Sequence, residues 1–143
     1  AEFSFSAFPD NVVAGFRAAG DLSLYFGPDP VYHFDAEGRL RRAFVEGLLY
    51  RTQGATLARL SRRRTESSTD LARHDLSPAE LRELLQEAAF RMRSFRDALA
   101  RADATVVRLV PADDAGFVED LSARIDGVLN AGLPLAPAIA GKR

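Results

Sequence analysis

Val31-Tyr32-His33-Phe34-Asp35-Ala36-Glu37-Gly38-Arg39-Leu40 reads as two short strands around a four-residue turn, and this stretch decides the fold. Asp at the first turn position and Gly at the fourth suit a type I turn closed by a left-handed Gly38. The hairpin pairs Val31–Phe34 with Leu40–Val45. It places Phe34 opposite Leu40, Tyr32 opposite Arg42, and His33 beside Arg41. Upstream, Leu22–Phe26 reads as a strand ended by Gly27-Pro28-Asp29-Pro30, whose prolines remove ladder donors. Downstream, Glu46-Gly47 gives a two-residue turn into Leu48–Thr52, and Gln53-Gly54 gives another into Ala55–Leu60. The expectation is an antiparallel meander of about 5 strands over residues 22–64. Phe34, Leu40, Phe44 and Leu49 would share one face, and Val31, Val45, Leu48, Tyr50 and Leu57 the other.

Helices flank this meander. Ser77-Pro78-Ala79-Glu80 is a capping box with proline at the first helical position. Apolar residues follow at Leu81, Leu85, Ala88, Met92, Phe95, Leu99 and Ala102, which predicts a helix over 77–102. That spacing fits packing against the sheet or the last helix, and equally a dimer seam. A C-terminal helix is expected over 114–130, capped by Asp113 or Asp114, with Phe117, Leu121, Ile125 and Val128 inward and Gly132 past its end. Short strands are expected near Leu71–His74 and at Thr105–Val110, and a short N-terminal helix from Asn11 to Ala19, ended by Gly20.

At 143 residues the chain has the size of one domain, so residues 1–143 are expected to form a single globular α+β unit. The net charge of −1 gives no global attraction to nucleic acid or anionic membrane. Charge is nevertheless segregated: residues 39–64 hold eight Arg and one Glu, whereas residues 1–38 hold one Arg and six acids. There is no Cys, no apolar run of membrane-spanning length and no signal-peptide pattern, so a cytoplasmic protein with no membrane partner is expected. The Arg-rich composition is of a bacterial kind.

The chemistry-bearing residues are few. Arg42 and Arg51 fall opposite each other if both two-residue turns hold, with Thr56 next across, and like charges so placed repel. Two resolutions are open: a bound anion, or internal pairing with Glu83, Glu87 or the acidic N-terminal segment. Arg41, Arg59, Arg62, Arg63 and Arg64 extend the basic region, and Tyr32 and Tyr50 are the aromatics that would stack bases if it read RNA. His33-x-Asp35 and His74-Asp75 hold the only two histidines, too few for a metal signature, so no metal and no cofactor are expected. No phosphate-binding glycine loop, nucleophile elbow or zinc-protease motif is present.

Tyr32-x-Phe34-Asp35-x-x-Gly38-Arg39-Leu40 resembles a single unit of the tyrosine-aspartate hairpin repeats of large bacterial surface and toxin proteins. The resemblance covers about ten residues, occurs once, and implies shared hairpin chemistry only.

The leading reading is a non-catalytic binding or interaction module whose partner is a protein, itself or another, with the basic sheet region as the contact. The alternatives are nucleic-acid binding by that same region and a small enzyme using His33, Asp29 or Asp35.

Overall fold

The structure is a computed structural model that describes residues 11–16, 20–27, 29–62, 71–101, 105–108 and 116–137. Its strands are β1 (Asn11–Phe16), β2 (Leu22–Tyr25), β3 (Val31–Phe34), β4 (Leu40–Val45), β5 (Leu48–Gln53), β6 (Thr56–Arg62), β7 (Leu71–Asp75) and β8 (Thr105–Arg108). Its helices are α1 (Pro78–Ala100) and α2 (Phe117–Asn130). All eight strands form one sheet in the order β7-β6-β5-β4-β3-β2-β1-β8. Neighbours from β1 to β7 run antiparallel, and β8 joins β1 in parallel. The fold is α+β, as the sequence reading expects.

The expected N-terminal helix is corrected, because Asn11–Phe16 is a strand. A nine-residue helix is marginal on its own, and the β-branched pair Val12-Val13 suits a strand. Strands on both sides then satisfy its backbone: Phe16 pairs with Leu22, and Asn11 with Thr105. Gly20 does take positive φ, but in the link between β1 and β2 rather than at a helix end.

The deciding hairpin forms as read. The Gly38 N–H donates to the Asp35 carbonyl at 3.0 Å, and Gly38 has φ +80°. Phe34 pairs with Leu40, but a bulge then shifts the register, so His33 faces Arg42 and Tyr32 faces Ala43. Arg41 is the extra residue, and it moves every later side chain of β4 to the other face. The second two-residue turn is Gly54-Ala55 instead of Gln53-Gly54, with glycine at the first central position as a type II′ turn prefers. Arg51 therefore faces Ala58 instead of Thr56.

The bulge redraws the two faces. Leu22, Leu24, Tyr32, Phe34, Leu40, Ala43, Tyr50 and Leu57 all enter one buried cluster with Ala88, Met92 and Phe95 of α1 and with Leu121, Ile125 and Val128 of α2. Phe34 and Leu40 thus share a face with Tyr50 and Leu57, and Phe44 and Leu49 turn the opposite way. Phe26 joins the core by edge-on contacts with Tyr32 at 6.0 Å and Phe95 at 6.1 Å.

The start of α1 and the buried residues of α2 match the sequence reading, the cap of α2 does not, and Ala102, the last position of the α1 spacing, lies outside the described residues. At the start of α1 the Ser77 hydroxyl accepts from the Glu80 N–H at 3.1 Å, and a Glu80 carboxylate oxygen accepts from the Ser77 N–H at 2.8 Å. The middle of the apolar spacing is core: Ala88, Met92 and Phe95 are buried, and Leu81, Leu85 and Leu99 pack on the cluster more loosely. The N-cap of α2 is Gly116, without a side-chain cap bond, and Asp113 and Asp114 lie outside the described residues. At its other end the Leu133 N–H reaches the Val128 carbonyl and the Gly132 N–H reaches that of Leu129, a Schellman motif. The chain then returns to β4, where the Leu40 N–H donates to the Pro134 carbonyl at 2.7 Å and the Leu40 carbonyl accepts from Ala136 at 2.8 Å.

Candidate functional site

Strand alternation sends the expected basic residues to different places. On the sheet face turned away from the helices, the pairs Ser23–His33–Arg42–Arg51–Ala58–Asp75 form one cross-strand row. The adjacent row is Tyr25–Val31–Phe44–Leu49–Leu60–Arg73. Arg42 and Arg51 stand directly opposite each other, both exposed, and neither makes an ion pair with a described residue. Of the expected internal partners, Glu83 and Glu87 lie across the sheet on the helix side, and Glu2 and Asp10 of the N-terminal segment lie outside the described residues. Phe44 beside the pair is 37% exposed, whereas Val31 and Leu60 in its row are buried.

The other residues of the expected basic region are not brought to this pair. Arg41, at the bulge, points a guanidinium nitrogen toward Asp35 at 3.9 Å. Arg59 faces the helices, as do Tyr32 and Tyr50, which are buried there. Arg62 ends β6, and Arg63 and Arg64 lie outside the described residues.

Asp29 and Asp35 hold turns. The Asp29 carboxylate accepts the Glu46 N–H at 2.8 Å and the Gly47 N–H at 2.7 Å, which clamps the β4–β5 turn. Asp35, 3% exposed, accepts the N–H groups of Glu37 and Arg39 and the Arg39 Nε, so its charge locks the deciding hairpin. His33 shares a hydrogen bond of 2.8 Å between its Nδ1 and Ser23 Oγ, and its ring meets Tyr25 edge-on at 5.7 Å. That Ser–His contact is invisible in sequence, since it needs the β2–β3 register.

On the helix side, a cleft of 380 Å³ opens between the sheet and the first half of α1. Its wall includes Tyr32, Tyr50 and Arg59 from the sheet, Glu46 from the β4–β5 turn, and Glu80, Glu83 and Glu87 from α1. Sequence reading missed it as a site because the acids come from two distant segments. The usable signal was Glu80, Glu83 and Glu87 at helical spacing on one side of α1. Glu80 is held down to about 2 by the Ser77 N–H and, secondarily, by a bond to His74 Nε2 at 3.0 Å. Glu87 pairs with Arg91 at 2.9 Å. Burial pushes the Tyr32 hydroxyl above the ordinary phenol range, only partly offset by the Arg91 guanidinium. The Arg91 guanidinium is the hydrogen-bonding neighbour of that buried hydroxyl, and its Nε is buried beside it.

Among the described residues no three acids or histidines are grouped to hold a metal ion, and no helix is long and apolar enough to cross a membrane. The chain matches no protein-family model, and comparison with curated proteins and with solved structures likewise finds no match.

Proposed function

We propose that this protein is a non-catalytic binding module that holds an acidic protein segment on the outer face of its sheet. The observation that carries this is the Arg42–Arg51 pair, two exposed arginines directly opposite each other across β4 and β5, neither in an ion pair with a described residue. Such a pair costs ~0.2–1 kcal/mol relative to neutral neighbours. A carboxylate removes that repulsion and gains charge-assisted, forked hydrogen bonds. Phe44 and Leu49 in the next row add an apolar strip. A segment carrying both acidic and apolar side chains matches the two rows together. Sheet-based RNA readers need exposed aromatics beside their arginines. Tyr32 and Tyr50 are buried on the other face, and Phe44 is the one exposed large aromatic beside the arginines among the described residues, fewer than the two or three bases such readers stack, which favours the protein partner over nucleic acid.

The test is fluorescence anisotropy with a labelled peptide rich in Asp, Glu and Leu, beside RNA and DNA oligonucleotides of similar length. Peptide binding that disappears in the Arg42→Glu, Arg51→Glu double variant, with an unchanged circular-dichroism spectrum, supports the reading. Tighter oligonucleotide binding that weakens by ~0.7–0.9 log unit per log unit of salt for each phosphate engaged moves the assignment to nucleic acid. Absence of binding to all three at low salt refutes it.

A further inference from the structure

A segment of the kind the outer face would hold, acidic and apolar together, is present in this chain itself. Three large apolar side chains are exposed among the described residues: Phe44, Phe90 and Val118. Two of them stand beside charges of opposite sign. Phe44 lies in the row next to the Arg42–Arg51 pair. Val118, 46% exposed, is followed at once by Glu119 and Asp120 in the first turn of α2. Both acids are exposed, and neither forms an ion pair with a described residue. Cations near them along the helices have other work: Arg124 donates to the carbonyls of Gly20 and Ala36, and Arg96 holds Asp126 at 3.1 Å. Acids in a first turn suit the helix dipole, which accounts for their charge but not for an exposed valine beside them.

The two surfaces cannot meet within one chain. Leu121, Ile125 and Val128 pack the inner side of α2 into the core on one side of the sheet. The exposed side of α2 therefore faces away from the sheet, whereas Arg42, Phe44 and Arg51 face out from the opposite side. A two-fold pair would have to bring both surfaces of each copy into one interface, and surfaces on opposite sides of the molecule do not allow that. Contact between them joins unlike patches and repeats head to tail. The spacings agree: consecutive Cα atoms lie ~3.8 Å apart and neighbouring strands ~4.8 Å apart, so Glu119 and Asp120 span the two arginines. On the premise that the outer face holds an acidic segment, we propose that this segment is the start of α2 of a second copy of the chain. Glu119 and Asp120 neutralise Arg42 and Arg51 through forked, charge-assisted bonds. Val118 lies against Phe44 and Leu49, and all three apolar side chains leave water together.

The experiment is sedimentation velocity of the full chain over a wide concentration range, at about 0.05 M and about 0.5 M salt. The expected result is a mean mass that keeps rising with concentration past the dimer at low salt and falls toward the monomer at high salt. Arg42→Ser with Arg51→Ser, and separately Glu119→Lys with Asp120→Lys, should each weaken association by about tenfold or more, the value of one hydrogen bond to a charged group, with unchanged circular-dichroism spectra. Mixed together, these two variants should form a dimer and stop there, because each retains one intact surface and the two intact surfaces are complementary. Val118→Ser, a change at an exposed position, should weaken association several-fold and serves as the test if the lysine variant fails to fold. A wild type that stays monomeric at ~1 mM in low salt overturns the proposal. Binding of the acidic peptide by that same monomer would leave the outer-face reading standing, whereas loss of both would remove the two together. Wild-type association that stops at the dimer, that persists in both double variants, or that the mixture fails to restore also overturns it.

Discussion

A single charge reversal at Arg42 should stabilise the protein while abolishing its proposed binding. In the wild type Arg42 and Arg51 face each other across β4 and β5 with no acid pairing to either among the described residues. Arg42→Glu removes the repulsion, ~0.2–1 kcal/mol, and creates an attraction of similar size, so the expected gain is ~0.4–2 kcal/mol. Arg51→Glu should behave alike. The double variant restores a like-charge pair and should return close to wild-type stability, which makes the four proteins a double-mutant cycle with large coupling. Urea denaturation at about 0.01 M and about 1 M salt is the assay, because the Debye length falls from ~30 Å to ~3 Å and an exposed pair should lose most of its effect. Near-identical m-values would show that only the native pair has changed. Destabilisation of both single variants by ~1 kcal/mol or more would refute the reasoning, since it would mean that each arginine already serves an internal acid.

Other predictions follow from the packing and the caps. Phe95→Ala should cost ~3–5 kcal/mol because Phe95 is fully buried against Phe26, whereas Phe90→Ala on the exposed side of α1, 53% accessible, should stay within ~0.5 kcal/mol. A loss at Phe95 that varies with protein concentration would instead mark a dimer seam. Ser77→Ala should cost ~0.5–2 kcal/mol in the same denaturation assay. Glu80 contributes to stability above its unfolded value near 4.5, and that contribution should disappear as pH falls through about 2; a wild-type advantage over Glu80→Gln that grows on acidification would contradict it. Gly38→Val should cost at least ~1 kcal/mol, since φ is +80° and an added Cβ would sit 3.3 Å from the buried Val128. An unchanged melting curve would rule out the left-handed turn.

What the sequence made legible is what neighbouring residues determine. The capping box, the buried spacing of both helices and the Asp35–Gly38 turn are each encoded within a few positions, and each formed as read. The face assignments failed through one bulged residue, Arg41, whereas the displaced turn at Gly54-Ala55 moved the β5–β6 register by two and left the faces unchanged. With a side-chain period of two, a shift of one position exchanges inside for outside. That is why Tyr32 left the face of Arg42 and came to line a cleft with Tyr50, Arg59, Glu46 and Glu83. Asn11–Phe16 misread as helix because its partners, Leu22–Tyr25 and Thr105–Arg108, decide its state, and the second lies far along the chain.

The parallel pairing of β1 with β8 also orders events in time. Strands β1 to β7 are joined to neighbours in the chain, so their ladders close over short loops and form early. Asn11 meets Thr105 only after the whole meander and α1 have been made. During synthesis the earliest described strand therefore emerges long before its parallel neighbour, with one edge still unpaired. Bringing such distant segments together carries a loop-closure cost that local hairpins avoid. β8 belongs beside β1, the earliest of the described strands, and their pairing closes the loop that spans the meander and α1.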